Sequence, residues 1–144
     1  MADRFELRIQ KAICDSYAHH DGWAEKWDNA HKKGRPDLIC VLPGLGVHFH
    51  EVKHRPELSS TLHHIQNPLT LKQRQIAREM FDAGALVTGI LAIGGGTMRG
   101  VQIATFPPNA DQWHLVNAMW VPYELKRGFD VKKMTRGLHS KGWG

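Results

Sequence analysis

The stretch from Gly34 to Lys53, GRPDLICVLPGLGVHFHEVK, constrains this chain more than any other. It places an acid at Asp37, two short apolar segments on either side of a turn at Pro43, Gly44 and Gly46, and then Glu51 and Lys53 two residues apart. Pro36 lacks a backbone donor and belongs at the start or edge of a strand, which puts Asp37 at the head of a strand over 37–41. Residues 47–53 return as a second strand, antiparallel to the first. Side chains at i and i+2 of a strand share a face, so Glu51 and Lys53 project together. A carboxylate and an ammonium at the end of an apolar strand are costly to bury unless something pairs them. A metal ion meets that need.

Upstream, Phe5, Ile9, Ala12, Ile13 and Tyr17 recur at helical spacing and predict a helix over 3–18, with Asp3 able to cap it. Glu6 lies three and seven residues before Ile9 and Ile13 and therefore faces the core side of that helix. Two accounts of Glu6 stay open: an inward carboxylate with a function, or the partner of Asp3 in a capping box. His19 to Gly22 break the helix, and 23–27 form a first strand. Residues 54–68 lose all periodicity and predict a long loop after Lys53, within reach of a bound substrate. Thr70 opens a second helix whose stripe is Ile76, Ala77, Met80 and Phe81, with Gly84 as its stop. Gln73 lies on that stripe, where function and a Thr70/Gln73 capping box again compete. Residues 85–93 read as a strand covered on both faces. Gly94 to Gly96 lack the Gly-Lys-Ser/Thr of a phosphate loop and predict a hairpin turn into a strand over 101–106. A short helix carrying Trp113, Val116 and Trp120 should follow and end before Pro122.

The chain has 144 residues, enough for one core, and its 42% hydrophobic and 23% charged residues exclude a disordered polymer. No apolar run reaches membrane-spanning length and MADRFELRIQK has no signal-peptide core, so a cytoplasmic protein with no membrane partner is expected. Cys14 and Cys40 sit in apolar segments without paired spacing and read as reduced core thiols. The net charge of +5 falls entirely in 126–144, where six Lys/Arg face Asp130 alone. We therefore expect a domain over 1–125 and a basic tail over 126–144. That tail, with Trp143 for stacking, suits a phosphate backbone, and it suits solubility equally well.

Pro36-Asp37 followed by Glu51-Val52-Lys53, with a helical Glu6 upstream and a Gln73 helix downstream, resembles the PD-(D/E)xK nuclease superfamily. Gly34-Arg35-Pro36-Asp37-Leu38, Glu51-Val52-Lys53 and Leu69-Thr70-Leu71-Lys72-Gln73 look most like the small virus-type replication-repair (VRR-NUC) nucleases, with Holliday-junction resolvases as cousins. A Pro-Asp followed at some distance by Glu-x-Lys arises often by chance, and it is the order of these pieces among the predicted elements of residues 3–93 that carries the resemblance. The resemblance implies an α/β, restriction-endonuclease-like αβββαβ core, a mixed sheet flanked by helices. It also implies Mg²⁺-dependent hydrolysis of DNA phosphodiesters, with Mn²⁺ able to substitute. By position, Asp37, Glu51 and the carbonyl of Val52 would ligate the metal. Lys53 would position or activate the attacking water and offset phosphate charge. Glu6 would hold a second metal or one of its waters, and Gln73 would orient Lys53 or the scissile phosphate. Two carboxylates and a carbonyl are the hard oxygen donors that Mg²⁺ prefers, and one ion or two would both be workable.

Lys32, Lys33, Arg35, His54, Arg55 and Lys72 flank these motifs and are the candidate DNA contacts, joined by Lys132, Lys133 and Arg136 in the tail. An exposed Glu51/Lys53 ion pair without function is the bland alternative for those two residues. A zinc site built from His48, His50, His54 and Glu51 is the chemical rival, but His48 and His50 share the strand face opposite Glu51 and Lys53. A DNA-facing or structural role suits them better. The expectation for the whole is a structure-selective endonuclease for branched DNA such as a Holliday junction, encoded by a phage or mobile element and acting in recombination or repair. A homodimer fits a small core that must make two cuts, with 54–68 or the Trp113/Trp120 helix at its interface. A non-catalytic DNA-binding accessory protein of a replication complex is the alternative.

Overall fold

The computed structural model describes residues 4–27, 34–59 and 61–135. Helix α1 (Arg4–His19) leads into three antiparallel strands, β1 (Trp23–Lys26), β2 (Leu38–Leu42) and β3 (Gly46–Arg55). After β4 (His64–Gln66), helix α2 (Leu71–Asp82) carries the chain to β5 (Leu86–Ile93), which lies parallel to β3. A parallel neighbour cannot be reached by a tight turn, and α2 is the crossover that the step requires. The described chain closes with β6 (Gln102–Phe106), β7 (Gln112–His114), β8 (Val121–Glu124), β9 (Gly128–Phe129) and α3 (Val131–Thr135). Seven strands form one mixed sheet in the order β1-β2-β3-β5-β6-β8-β9, and β4 pairs with β7 in a separate ribbon. The expected αβββαβ order is present, with β4 inserted before α2. Among the described residues no helix is long and apolar enough to cross a membrane.

Alternation along the strands gives the sheet two different faces. Leu38, Cys40 and Leu42 of β2 and His48, His50 and Val52 of β3 are buried against Ile9, Ile13 and Tyr17 of α1. Glu51 and Lys53 point the other way. On their side a second apolar cluster gathers Leu69, Leu91, Ala104, Phe106, Trp113 and Leu115. The two clusters explain why residues 85–93 are apolar throughout, since β5 contributes to both.

Three expectations are corrected. The helix expected to carry Trp113, Val116 and Trp120 is not formed. Trp113 lies in β7 opposite Ile65 of β4, its indole N–H donating to the Pro107 carbonyl at 2.9 Å and its ring stacked 4.9 Å from Phe106. Helical spacing of three apolar residues lost to a strand partner lying on the far side of α2 in sequence. The same pairing corrects the loop over 54–68, which extends β3 to Arg55 and contains β4. Finally, the packed structure does not end at 125. Phe129 and Val131 are fully buried, and Ser16 Oγ accepts a 2.8 Å hydrogen bond from the Phe129 N–H. Asp3 and the tail residues Arg136 and Trp143 lie outside the described residues.

Candidate active site

Asp37 immediately precedes β2, and the Val52 N–H of β3 donates to its Oδ2 at 2.7 Å. Because Leu38 pairs with His50, the antiparallel register brings Asp37 beside Glu51. The approach to Asp37 is tight. Gly34 has a φ of +91°, and a Cβ there would come within 2.8 Å of Lys72 Cγ on α2, so both the backbone and the space call for glycine. The Gly-Arg-Pro-Asp segment is thereby pressed between the start of α2 and the head of β2.

Glu51 is only 2% exposed. Its partner across the parallel ladder is Gly89, and a Cβ at Gly89 would meet the Trp113 ring at 2.5 Å. The indole thus occupies the space that a side chain beside Glu51 would have filled. On the other side, Gln73 Nε2 donates to Glu51 Oε1 at 3.1 Å. The Gln73 amide also completes a capping box, in which Gln73 Oε1 accepts from Thr70 N–H at 2.9 Å and Thr70 Oγ1 accepts from Gln73 N–H at 3.1 Å. Capping and the link to Glu51, which compete as explanations in the sequence, are both made by one side chain.

Burial, reinforced by the charge and hydrogen bond of Asp37, pushes the Glu51 carboxyl up to about 10, and Glu6 pushes it the same way. Burial raises Asp37 too, and the Val52 N–H, Glu51 and Lys53 oppose that rise. Without a cation the pair therefore keeps a proton at neutral pH, with the Glu51 hydroxyl donating to Asp37. Three carboxylates, Glu6 of α1, Asp37 at the head of β2 and Glu51 of β3, act on one another, with the Lys53 ammonium offsetting Asp37 and Glu51 and Lys26 also offsetting Asp37, and they make a site that a divalent ion would relieve. The donors are hard oxygens, which suits Mg²⁺ or Mn²⁺.

The structure thus brings Asp37, Glu51, Lys53, Glu6 and Gln73 together, and Val52 contributes its N–H to Asp37. The candidate DNA contacts are more scattered. The Arg35 guanidinium lies 5.1 Å from the centroid of the Trp27 ring, itself 5.3 Å from Phe49 on the Glu51 face of β3. Lys72 is exposed in the first turn of α2, and Arg55 is exposed at the end of β3. His54 is half-buried, with its ring against Phe5 and its Nε2–H donating to the Gly94 carbonyl at 2.6 Å. Lys132 and Lys133 are exposed on α3, whose buried residues join the α1 cluster and not the Trp113 cluster. Lys32, Lys33 and Arg136 lie outside the described residues.

His48 and His50 are fully buried, which removes a DNA-facing role for them. Tyr17 Oη lies 2.8 Å from His48 Nε2 and 2.6 Å from His50 Nε2, and His50 Nδ1 lies 2.6 Å from Thr88 Oγ1. Sequence reasoning missed the walls of the Glu51 side, Gly89 and Trp113, because the register that joins them is a tertiary fact. Gly89, an isolated glycine inside an apolar strand, was the one local signal of a close approach.

No protein-family model matches the sequence, and no curated protein matches it in sequence. Solved structures do match the fold. A VRR_NUC domain aligns over 62% of this chain and 84% of its own length, at 23% identity and a TM-score of 0.43. Hjc, a Holliday junction resolvase from the archaeal hyperthermophile Archaeoglobus fulgidus, aligns over 77% of this chain and 83% of its own, at 13% identity and a TM-score of 0.50. The chain has the restriction-endonuclease-like fold of the PD-(D/E)xK nucleases, the superfamily that its Pro36-Asp37 and Glu51-Val52-Lys53 motifs resemble.

Proposed function

We propose that this chain is a divalent-metal-dependent endonuclease that hydrolyses DNA phosphodiesters and prefers branched DNA. The observation that carries the proposal is the pairing of half-buried Asp37 with buried Glu51 at the junction of β2 and β3, with Lys53 on the same strand face as Glu51. A fold that only bound DNA would gain nothing from holding two carboxylates that repel phosphate at one point, one of them buried.

Asp37, Glu51 and the Val52 carbonyl are the proposed Mg²⁺ ligands, with Mn²⁺ as substitute and Glu6 available to a second ion. The ion supplies Lewis acidity and lowers the pKa of a water molecule. The chain supplies orientation. Val52 N–H fixes one oxygen of Asp37 and Gln73 fixes one oxygen of Glu51. Each carboxylate so keeps its other oxygen for the ion. Lys53 shares the strand face of Glu51, where its ammonium can hold the attacking water by its lone pair and balance charge growing on the phosphate. Trp113 and its neighbours exclude bulk solvent from the Glu51 side, which strengthens each of these interactions.

The preference for branched DNA draws on the likeness to the resolvase fold, the reading as a homodimer on a small core that must make two cuts, and the origin in a phage or mobile element on the resemblance of the motifs to the virus-type replication-repair nucleases. Of the two places expected for the dimer interface, 54–68 and the segment carrying Trp113 and Trp120, parts pair as the β4–β7 ribbon, and Val116 and Met119, which follow β7, are exposed. Light scattering with and without DNA checks the dimer. A labelled four-way junction, compared with matched duplex, flap and single-stranded DNA in Mg²⁺, tests the function. Preferential cutting of the junction supports the full proposal, equal cutting of all forms removes the branch preference, and tight binding without cutting points to an accessory protein.

A further inference from the structure

The buried face of β3, behind the catalytic side, carries a second group of donors that the nuclease chemistry does not use. Cys40 of β2 pairs directly with His48 of β3, and His50 follows two residues on. Their ligand atoms, the Cys40 sulfur and one nitrogen from each imidazole, lie within 4.8 Å of one another and all three side chains are buried. Tyr17 Oη stands among them, within 2.8 Å and 2.6 Å of the two Nε2 atoms and in contact with the Cys40 thiol.

We propose that Cys40, His48, His50 and Tyr17 form a structural site for a zinc-type divalent cation, separate from the Mg²⁺ site. The donor set is the first reason. A thiolate and two imidazoles suit zinc and exclude Mg²⁺, which takes oxygen ligands. The outer contacts are the second. His48 Nδ1 lies 3.3 Å from the Gly46 carbonyl, which only accepts, so the proton sits on Nδ1 and Nε2 presents its lone pair inward. His50 Nδ1 meets Thr88 Oγ1, and when it donates there its Nε2 is also free to ligate. Metal-binding histidines are commonly held in this way.

Size and charge agree. Tetrahedral bonds of about 2.0–2.3 Å put ligand atoms roughly 3.3–3.8 Å apart, so the Cys40, His48 and His50 ligand atoms need to draw in by about 1 Å and Tyr17 Oη to move out from the two Nε2 atoms by roughly 0.5–0.7 Å to close the shell. Loss of one proton from Cys40 and one from Tyr17 balances the two charges of the cation, leaving a neutral group in an apolar core. Without a cation the same atoms close a chain of hydrogen bonds: Thr88 to His50, His50 to Tyr17, Tyr17 to His48, and His48 to Gly46. The two states differ in the His50 tautomer, with the proton on Nε2 when empty and on Nδ1 when loaded.

The test uses the full chain carrying Asp37→Asn and Glu51→Gln, so that the catalytic carboxylates hold no ion. Because the site is enclosed, this protein is refolded from denaturant with one equivalent of Zn²⁺ or Co²⁺ and then desalted. The proposal expects close to one retained metal per chain, a thiolate-to-cobalt charge-transfer band, and a His50 proton on Nδ1 by nitrogen NMR. Cys40→Ser should abolish the band, and Thr88→Val, which keeps the core volume, should weaken retention about 10–100-fold. Folded protein that retains no metal and shows His50 protonated on Nε2 would overturn it. So would metal retained equally by the Cys40→Ser chain.

Discussion

Gln73 Nε2 donates a 3.1 Å hydrogen bond to Glu51 Oε1 while Gln73 Oε1 caps the backbone at Thr70. The amide has one acceptor and one donor group, and the helix start and the Glu51 carboxyl take one each. The start of α2 is thereby tied to the carboxylate, and two substitutions can separate the effects. Thr70→Ala removes a cap alone and should cost about 1 kcal/mol of stability with little change in cleavage. Gln73→Glu retains an acceptor for the Thr70 N–H but turns a like charge on Glu51, so cleavage should fall at least about tenfold while the melting temperature changes less. Melting curves and single-turnover rates on the same proteins check both.

Metal-free stability should fall as pH rises. Glu51 is raised to about 10 when folded, chiefly by burial and Asp37, and Asp37 is raised as well. Above the ordinary carboxylate range the unfolded chain has released a proton that the folded chain still holds. Raising the pH from 6 to 9 in chelator therefore favours unfolding. Glu51→Gln should flatten this dependence, and saturating Mg²⁺ should flatten it too, because the ion displaces the proton and leaves the folded and unfolded carboxylates equally ionised between pH 6 and 9. Denaturant titrations at several pH values measure the slope.

Gly89→Ala should disturb the site without touching a polar group. The new methyl would meet Trp113 at 2.5 Å, and overpacking of this kind costs about 1–3 kcal/mol. With the ring displaced from its place beside Glu51, cleavage should fall by more than the loss of folded protein accounts for. Activity per folded molecule, with the folded fraction taken from near-ultraviolet dichroism, distinguishes the two.

A chain ending at residue 125 should fail to fold stably, whereas one ending at 135 should fold and retain cleavage. Phe129 and Val131 are buried against α1, and Phe129→Ala alone should cost about 3–5 kcal/mol. Thermal unfolding of the two truncations and of Phe129→Ala checks this.

The strands that carry Asp37, Glu51 and Lys53 were legible because their signals are local. Pro36 marks a strand start, Pro43 to Gly46 a turn, and alternation places Glu51 with Lys53 and opposite His48 and His50, as found. The Thr70/Gln73 box could be read from spacing alone. What failed depended on partners distant in sequence. β4 and β7 are three residues each and neither stands without the other. β9 is two residues, recognisable only by the α1 surface it covers. The capacity of the Gln73 amide to serve both Thr70 and Glu51 likewise requires β3 and α2 side by side, which no spacing along the chain reveals.

The most direct test of the central claim is single-turnover cleavage of a labelled four-way junction by the wild-type chain, Asp37→Asn and Lys53→Ala, in Mg²⁺ and in chelator, with binding measured in parallel. The account expects cleavage by the wild type only with metal. It expects a loss of at least about 100-fold in either variant, the scale on which a group aimed at developing charge contributes, with junction affinity retained. Cleavage by Asp37→Asn at the wild-type rate, or cleavage that persists in chelator, would contradict it.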